Sequence, residues 1–359
     1  MKVLLLSRYP RLGASSRLRS YQYLPGLAGN GIEVTVSPLF SEAYLEDFYA
    51  LGKKRPAALF SAYWARLKQL LKAGDFDLLW VEKELFPWLP AYMEQLLKRL
   101  GIPLMVDYDD AIFHRYDQSG SSLVRTLLGK KIDRVMASAT LVTAGNDYLA
   151  KRAEAAGAPR VMRLPTVLDV SRYQPKTVSE HSPFTVGWIG SPTTAGYLDL
   201  IREPLRSVAK KYPIRLMVVG AHIEPIADLP VVCVDWSEVR EAELIQQFDV
   251  GVMPLADQRW EKGKCGYKLI QYMACALPVI ASPIGVNREI VEHGVDGYLA
   301  EDAAAWESAL IRLIEGAPLR QEMGRIGRAK VEQHYSLTVM TARLVSAIGQ
   351  SVVQQNRRK

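Results

Sequence analysis

Short, largely apolar runs recur along the chain. Each is followed by a turn-forming segment and then by a stretch with helical spacing. In the first half the runs are Met1–Ser7, Ile32–Val36, Asp77–Val81, Pro103–Val106, Leu141–Ala144 and Val161–Leu164. In the second half they are Thr185–Ile189, Leu216–Val219, Val231–Val234, Val250–Met253 and Pro278–Ala281. Runs of this length without polar alternation mark strands buried on both faces, as in a parallel sheet covered by helices. Helices are expected from Ser15 or Ser16, either suited to an N-cap, and after Asn146 and Asp147. Others are expected from Tyr197, over 266–276 and over 336–353. Pro165, Pro175 and Pro183 fall in a stretch of little periodicity that joins the halves. The fold class expected is therefore α/β, with two doubly wound Rossmann-like domains at 1–170 and 185–338, a linker at 171–184, and a last helical segment at 339–359.

The densest chemistry lies in Asp249–Glu289, a strand–loop–helix–strand–loop unit. In parallel α/β sheets ligands bind beyond the carboxyl ends of the strands. Lys264, Lys268 and Gln271 are spaced i, i+4, i+7, which predicts one helix face. Leu269, Tyr272, Met273 and Ala276 form the other. Gly263 and Gly266 allow close backbone approach at the helix N-terminus, where orphan N–H groups favour an anion. The expectation is a phosphate or diphosphate seat; the bland alternative is two solvated lysines. The loop Gly190–Gly196, GSPTTAG, offers Gly190, Ser191 and further hydroxyls between strand and helix, chemistry suited to phosphate. It lacks both the P-loop lysine and the full GxGxxG pattern.

Two places in the first half also carry candidates. Gly13, Arg17 and Arg19 follow the first strand, where arginines meet a phosphate or sit on a helix surface. Asp107, Tyr108, Asp109, Asp110 and His114 cluster beyond the fourth run. Asp109, Asp110 or His114 could orient a reacting hydroxyl; the alternative is a helix cap with loop carboxylates. Lys53–Lys72 has no acidic residue and spaces Phe60, Trp64, Leu67 and Leu71 helically. It reads equally as a core-packing helix with a basic solvent face and as a helix for an anionic membrane surface.

Composition narrows the classes. The chain has 359 residues, 49% hydrophobic and 23% charged, ordinary for two globular domains. A net charge of +7 and a pI near 9.1 favour anionic partners. Nucleic acid is not expected, because only Lys53–Lys72 interleaves basic and aromatic residues. Cys233, Cys265 and Cys275 lack metal spacing and suggest a reducing compartment. The five histidines are scattered. No run approaches a membrane span, and the opening apolar run is too short for a leader peptide. A cytoplasmic protein is expected, peripheral on the inner face of the plasma membrane if Lys53–Lys72 binds lipid.

KGKCGYKLIQYMACALPVIASPIGVNREIVEHGVDGYLA resembles the donor-binding segment of the GT-B glycosyltransferases, in the retaining, nucleotide-sugar-dependent group (family 4-like, group 1). A weaker likeness covers KVLLLSRYP, TVGWIGSPTTAGYL and the helix after HYSL. The resemblance implies two domains facing across a cleft, with donor on the second, acceptor on the first, and 339–359 returning to the first. It implies transfer of a hexose-type sugar, with retention, from a nucleotide diphosphate sugar to a glycan or lipid-linked acceptor in bacterial cell-surface polysaccharide synthesis. No cofactor and no metal are implied. The group's two glutamates fall on Gly263 and Gln271. An amide can still bond a ribose hydroxyl, and Asp257 or Glu261 is the candidate for the missing sugar contact. By the same resemblance Trp236 lies at the base, with plain core the alternative, and Gly285, Val286 and Glu289 at the diphosphate and sugar. Lys264 and Lys268 neutralise the leaving group, and Asp109, Asp110 and His114 serve the acceptor. Two alternatives of the same fold stay open: a non-catalytic nucleotide-sugar-binding protein, and an epimerase or phosphorylase.

Overall fold

The computed structural model describes the backbone of residues 1–44, 56–177 and 182–356, and their side chains except those of 56–58 and 354–356. Lys53, Lys54, Arg55 and the basic tail of the sequence fall outside the described residues.

The apolar runs become parallel strands in two six-stranded sheets. The first contains β1 (Lys2–Leu6), β2 (Glu33–Val36), β3 (Leu78–Glu82), β4 (Leu104–Tyr108), β5 (Leu141–Ala144) and β6 (Val161–Arg163), in the order β2-β1-β3-β4-β5-β6. The second contains β7 (Phe184–Ile189), β8 (Ile214–Val219), β9 (Val231–Val234), β10 (Val250–Met253), β11 (Val279–Ala281) and β12 (Gly297–Leu299), in the order β12-β11-β10-β7-β8-β9. Every residue of β3, β4, β5, β7 and β10 is buried, which is why these strands show no alternation. The strand order reverses between β1 and β3 in the first sheet and between β7 and β10 in the second. A doubly wound sheet opens its ligand crevice at such a switch point.

Two compact units follow. One contains 1–166, 263–265 and 337–359; the other contains 167–262 and 266–336. The division falls at Thr166/Val167, and the helix Leu337–Asn356 belongs to the first unit.

Several local expectations need correction. The first helix is Ala14–Arg19 with Gly13 at its N-cap, so Ser15 and Ser16 lie inside it and bond tertiary carboxylates instead of capping. The helix expected from Tyr197 begins earlier, at Pro192–Ala195, because Pro192 is preset for a first helical position. Tyr298 lies in edge strand β12, which is too short to leave an apolar run in the sequence. In the helix Pro56–Leu70, Phe60 and Trp64 are exposed, as is Leu71 just beyond it. Tyr63 and Leu67 pack inward instead, and Arg66 is buried, donating to the Ser7 and Ser37 carbonyls. Asn146 does cap the helix Asp147–Ala155, accepting from Leu149 N–H at 3.0 Å.

Candidate active site

In the second unit the switch point is lined by glycine. A Cβ on Gly190, just after β7, would lie 2.4 Å from Trp188 Cη2 and 2.9 Å from Lys268 Nζ. Gly220, after β8, has φ +85°, and its Cβ would stand 2.3 Å from the Gly190 carbonyl oxygen. Lys268 projects from the first turn of helix Tyr267–Ala274, and its Nζ sits 4.4 Å from the centroid of the Trp188 ring. An ammonium, an apolar floor and bare backbone thus meet at one strand end. Nearby, Ser191 Oγ and Thr193 Oγ1 are 2.8 Å apart, and Thr194 Oγ1 donates to the Ser191 carbonyl at 3.1 Å.

Lys264 does not join Lys268 on one helix face. Gly266, at φ +67°, takes the left-handed conformation that glycine adopts without cost, and the helix starts after it. Gly263–Cys265 are part of the first unit, where Lys264 Nζ donates to Asp110 Oδ1 at 2.9 Å. A Cβ on Gly263 would lie 2.5 Å from Ala111 N, so no side chain fits there.

Gln271 lies three residues beyond Lys268 in the same helix. It is buried, and its Nε2 donates to Tyr173 OH at 3.3 Å, while that hydroxyl donates to Glu241. Because the hydroxyl proton is committed to Glu241, the phenol oxygen can only accept. An amide suits that place and a carboxylate does not. Trp236 is half-buried, held by an Nε1–H bond of 2.7 Å to Glu241.

Two carboxylates were candidates for the sugar. Asp257 is exposed and paired with Lys262 at 3.1 Å. Glu261 is buried; one oxygen accepts from Tyr197 OH, and Oε2 has no hydrogen-bond partner among the described residues. Gly285 has φ +53° and its Cβ would meet the Lys262 carbonyl oxygen at 2.9 Å. Val286 is buried, and Glu289 is exposed in the short helix Asn287–Ile290. Asn287, which the sequence reading passed over, is fully buried. Its Nδ2 donates to the Ser282 carbonyl and its Oδ1 has no hydrogen-bond partner among the described residues. Its signal was a lone amide two residues after Gly285.

In the first unit the strand ends are charged and mostly paired, although Glu82, the last residue of β3, keeps a buried Oε1 without a hydrogen-bond partner among the described residues. Arg19 is buried and makes a bidentate bond to Asp107, at 2.9 and 2.6 Å, and donates to the Leu164 carbonyl. Burial opposes its charge, yet the Asp107 pair raises its pKa above the ordinary value. Arg19 is thus framework, not an open phosphate ligand. Arg17 is also buried, and a Cβ on Gly13 would lie 2.5 Å from the Tyr9 side chain. Lys83, at φ +66°, reaches Asp109 at 2.9 Å and Ser15 Oγ at 3.1 Å; Ser15 in turn donates to Asp109. Burial would raise the Asp109 pKa, but Lys83 and Arg19 overcome this and hold it at about 2. His114 is buried, its Nδ1 at 2.8 Å from Asp117 and its Nε2 at 2.7 Å from Tyr148 OH. Asp110, half-buried and bonded to Lys264, is the most accessible of the three acceptor-side candidates. Cys265 Sγ donates to the Asp109 carbonyl at 3.1 Å, and burial pushes its thiol up to about 12. Among the described residues no group of three His, Cys, Asp or Glu side chains is placed to hold a metal ion.

The sequence profile described as "Glycosyl transferases group 1" matches residues 183–316. That stretch is a group 1 glycosyltransferase segment. It spans the β7/β10 switch point, Glu261, Lys268 and Asn287. A 77-residue stretch is 32% identical to N-acetyl-alpha-D-glucosaminyl L-malate synthase of Bacillus anthracis, covering 21% of this chain and 20% of that relative. The match therefore spans about a fifth of the curated relative's length. Solved structures align along the whole chain. HepE of Anabaena in complex with UDP has a TM-score of 0.65 at 16% identity, covering 98% of this chain and 100% of that one. Sucrose-phosphate synthase of Thermosynechococcus elongatus has 0.70 at 15% identity, covering all of both chains. A glycosyltransferase of Rickettsia africae has 0.68 at 13%, covering 98% of each. At these identities the likeness speaks for the fold, and the fold is GT-B.

Proposed function

We propose that this chain is a glycosyltransferase that takes a hexose-type sugar from a nucleotide diphosphate sugar held on the second unit. The observation that carries the reading is Lys268 Nζ beside Gly190, over Trp188, at the β7/β10 switch point. There the lysine charge meets the leaving diphosphate as the glycosidic bond breaks, and the glycines let backbone N–H groups approach it. The neutralisation needs no metal. A GT-B neighbour crystallised with UDP and a relative named for an N-acetylglucosaminyl product support a UDP-sugar as the donor to test first.

Glu261 takes over the sugar contact that Gly263 cannot make. Its buried Oε2 has no donor among the described residues, a sugar hydroxyl supplies one, and Tyr197 fixes the carboxylate. On the first unit Asp110 serves the acceptor hydroxyl. The acceptor is a glycan or lipid-linked, in bacterial cell-surface polysaccharide synthesis on the cytoplasmic side, and the stereochemistry is retention, as the family resemblance implies.

Isothermal titration with UDP, GDP, ADP and TDP, without metal and then with magnesium, tests the donor site. One nucleotide should bind without metal, and Lys268→Ala should weaken it by about tenfold or more, the loss of one charge-assisted contact. Glu261→Gln should leave that affinity unchanged and slow sugar transfer. Binding by none of the four sinks the reading, and binding without turnover on any sugar favours the non-catalytic alternative.

A further inference from the structure

The exposed apolar side chains of this molecule are concentrated. Of the 17 large hydrophobic residues that are exposed among the described residues, 11 lie in three short stretches of the first unit, 59–71, 88–100 and 123–127. Helical spacing sets them in outward stripes. Phe60 (75% exposed), Trp64 and Leu71 (83%) lie on or just beyond the helix Pro56–Leu70. Tyr92 (71%), Leu96 and Leu100 lie along Tyr92–Arg99 and its end, and Leu123 and Leu127 on Ser122–Leu128.

The three stretches share one face of the first sheet. The connections β2→β3, β3→β4 and β4→β5 all run the same way along it, and right-handed crossovers then place their helices on the same side. The inward residues agree: Tyr63, Leu67, Met93 and Val124 pack on one core cluster. Tyr63 OH also donates to the Pro87 carbonyl, and Trp88 packs edge-on to Tyr116 at 5.3 Å.

Charge names the occupant. Within 59–72, 88–100 and 119–130 the exposed charged residues are Lys68, Lys72, Lys98, Arg99, Arg125 and Lys130, all basic. The one acidic residue there, Glu94, is buried and accepts from Leu85 N–H. Lys68 Nζ lies 5.6 Å from the Trp64 ring centroid. Lysine is depleted in the interfaces of protein partners. Aromatic and leucine side chains interleaved with lysine and arginine, with no acid between, are instead the composition of a surface that enters a lipid headgroup layer.

We infer that this three-helix face of the first unit docks on an anionic lipid bilayer. Among the described residues no helix is long and apolar enough to cross a membrane, so attachment is peripheral through this face. The inference stands apart from the donor-site reading and is tested without it.

The full chain is sedimented with phosphatidylcholine vesicles, with and without phosphatidylglycerol, at low and high salt. Binding should require phosphatidylglycerol and weaken with salt, and tryptophan emission should shift to the blue. Trp64→Glu, Leu96→Glu and Leu127→Glu, one exposed position per stretch, should together weaken partitioning by about a hundredfold or more, from lost apolar burial and added repulsion. Circular dichroism and thermal unfolding of that variant report whether the fold is intact. Binding undiminished in a folded triple variant, equal binding to neutral vesicles, or no vesicle binding overturns the inference. So does light scattering that shows an oligomer of this chain dissociated by Leu96→Glu in place of lipid binding; the face would then belong to a second copy.

Discussion

The switch points of the two units carry opposite chemistry on the same architecture. At the first, ion pairs are dense, Arg19 with Asp107, Lys83 with Asp109, Lys264 with Asp110 and Lys131 with Glu84, while Glu82 keeps a buried Oε1 without a hydrogen-bond partner among the described residues. At the second, Gly190 and Gly220 leave backbone bare, Lys268 lies over Trp188, and Glu261 and Asn287 each keep a buried oxygen without a hydrogen-bond partner among the described residues. A charged residue type at a strand end is therefore a poor guide to ligand binding on its own. What distinguishes the two places is the bare glycine backbone at the second, against the ion pairs that fill the first.

The sharpest way to break that comparison is Asp107→Ala. If Arg19 is framework, removing its partner strands a buried guanidinium and should cost about 3–5 kcal/mol in urea unfolding. Stability within error of the parent would mean that Arg19 is free to serve a ligand and that the first switch point is not closed. Asp109 gives a pH version of the same test. Its folded pKa is about 2 against an ordinary 3.8. A depressed carboxylate stabilises fully above its unfolded pKa and loses that contribution as pH falls through the folded one. The stability gap between the parent and Asp109→Asn should thus hold above pH of about 4 and shrink by about 2 kcal/mol toward pH 2. A gap independent of pH would deny the Lys83 pairing.

Gln271→Glu sharpens the comparison from the other side. It brings a second carboxylate to Tyr173 OH, whose proton already goes to Glu241, and should destabilise the chain by about 1–3 kcal/mol at neutral pH, less in acid. A neutral effect would show that the phenol can redirect its proton, and that the family's ribose glutamate would fit here after all. The smallest effect concerns thiols. Burial pushes Cys265 and Cys275 up to about 12. A disulfide reagent should therefore label only the half-buried Cys233 rapidly in the folded chain. Rapid labelling of Cys265 would indicate that the Gly263–Cys265 turn opens.

Much of this protein was legible in one dimension. Buried parallel strands appear as apolar runs because both faces of the sheet are covered, and all eleven runs became strands. The Asn146 cap and the Lys268 helix rest on near-neighbour spacing, which the backbone enforces locally. The group 1 likeness of the second half was carried by residues that lie close together in the chain. Pairing was not legible, because it joins residues far apart. Arg19 meets Asp107 across 88 positions, Lys264 meets Asp110 across 154, and Gln271 meets Tyr173 across 98. Lys264 has helical spacing to Lys268 in the sequence, but a left-handed Gly266 breaks the register between them. Phe60, Trp64 and Leu71 have core composition, and only the packing of Tyr63, Leu67 and Arg66 beneath them showed which side of the helix is inside. Sequence fixes the periodicity of burial, which is local; which charges are cancelled, and which apolar face is left uncovered, is decided by the assembled fold, because both depend on distant partners.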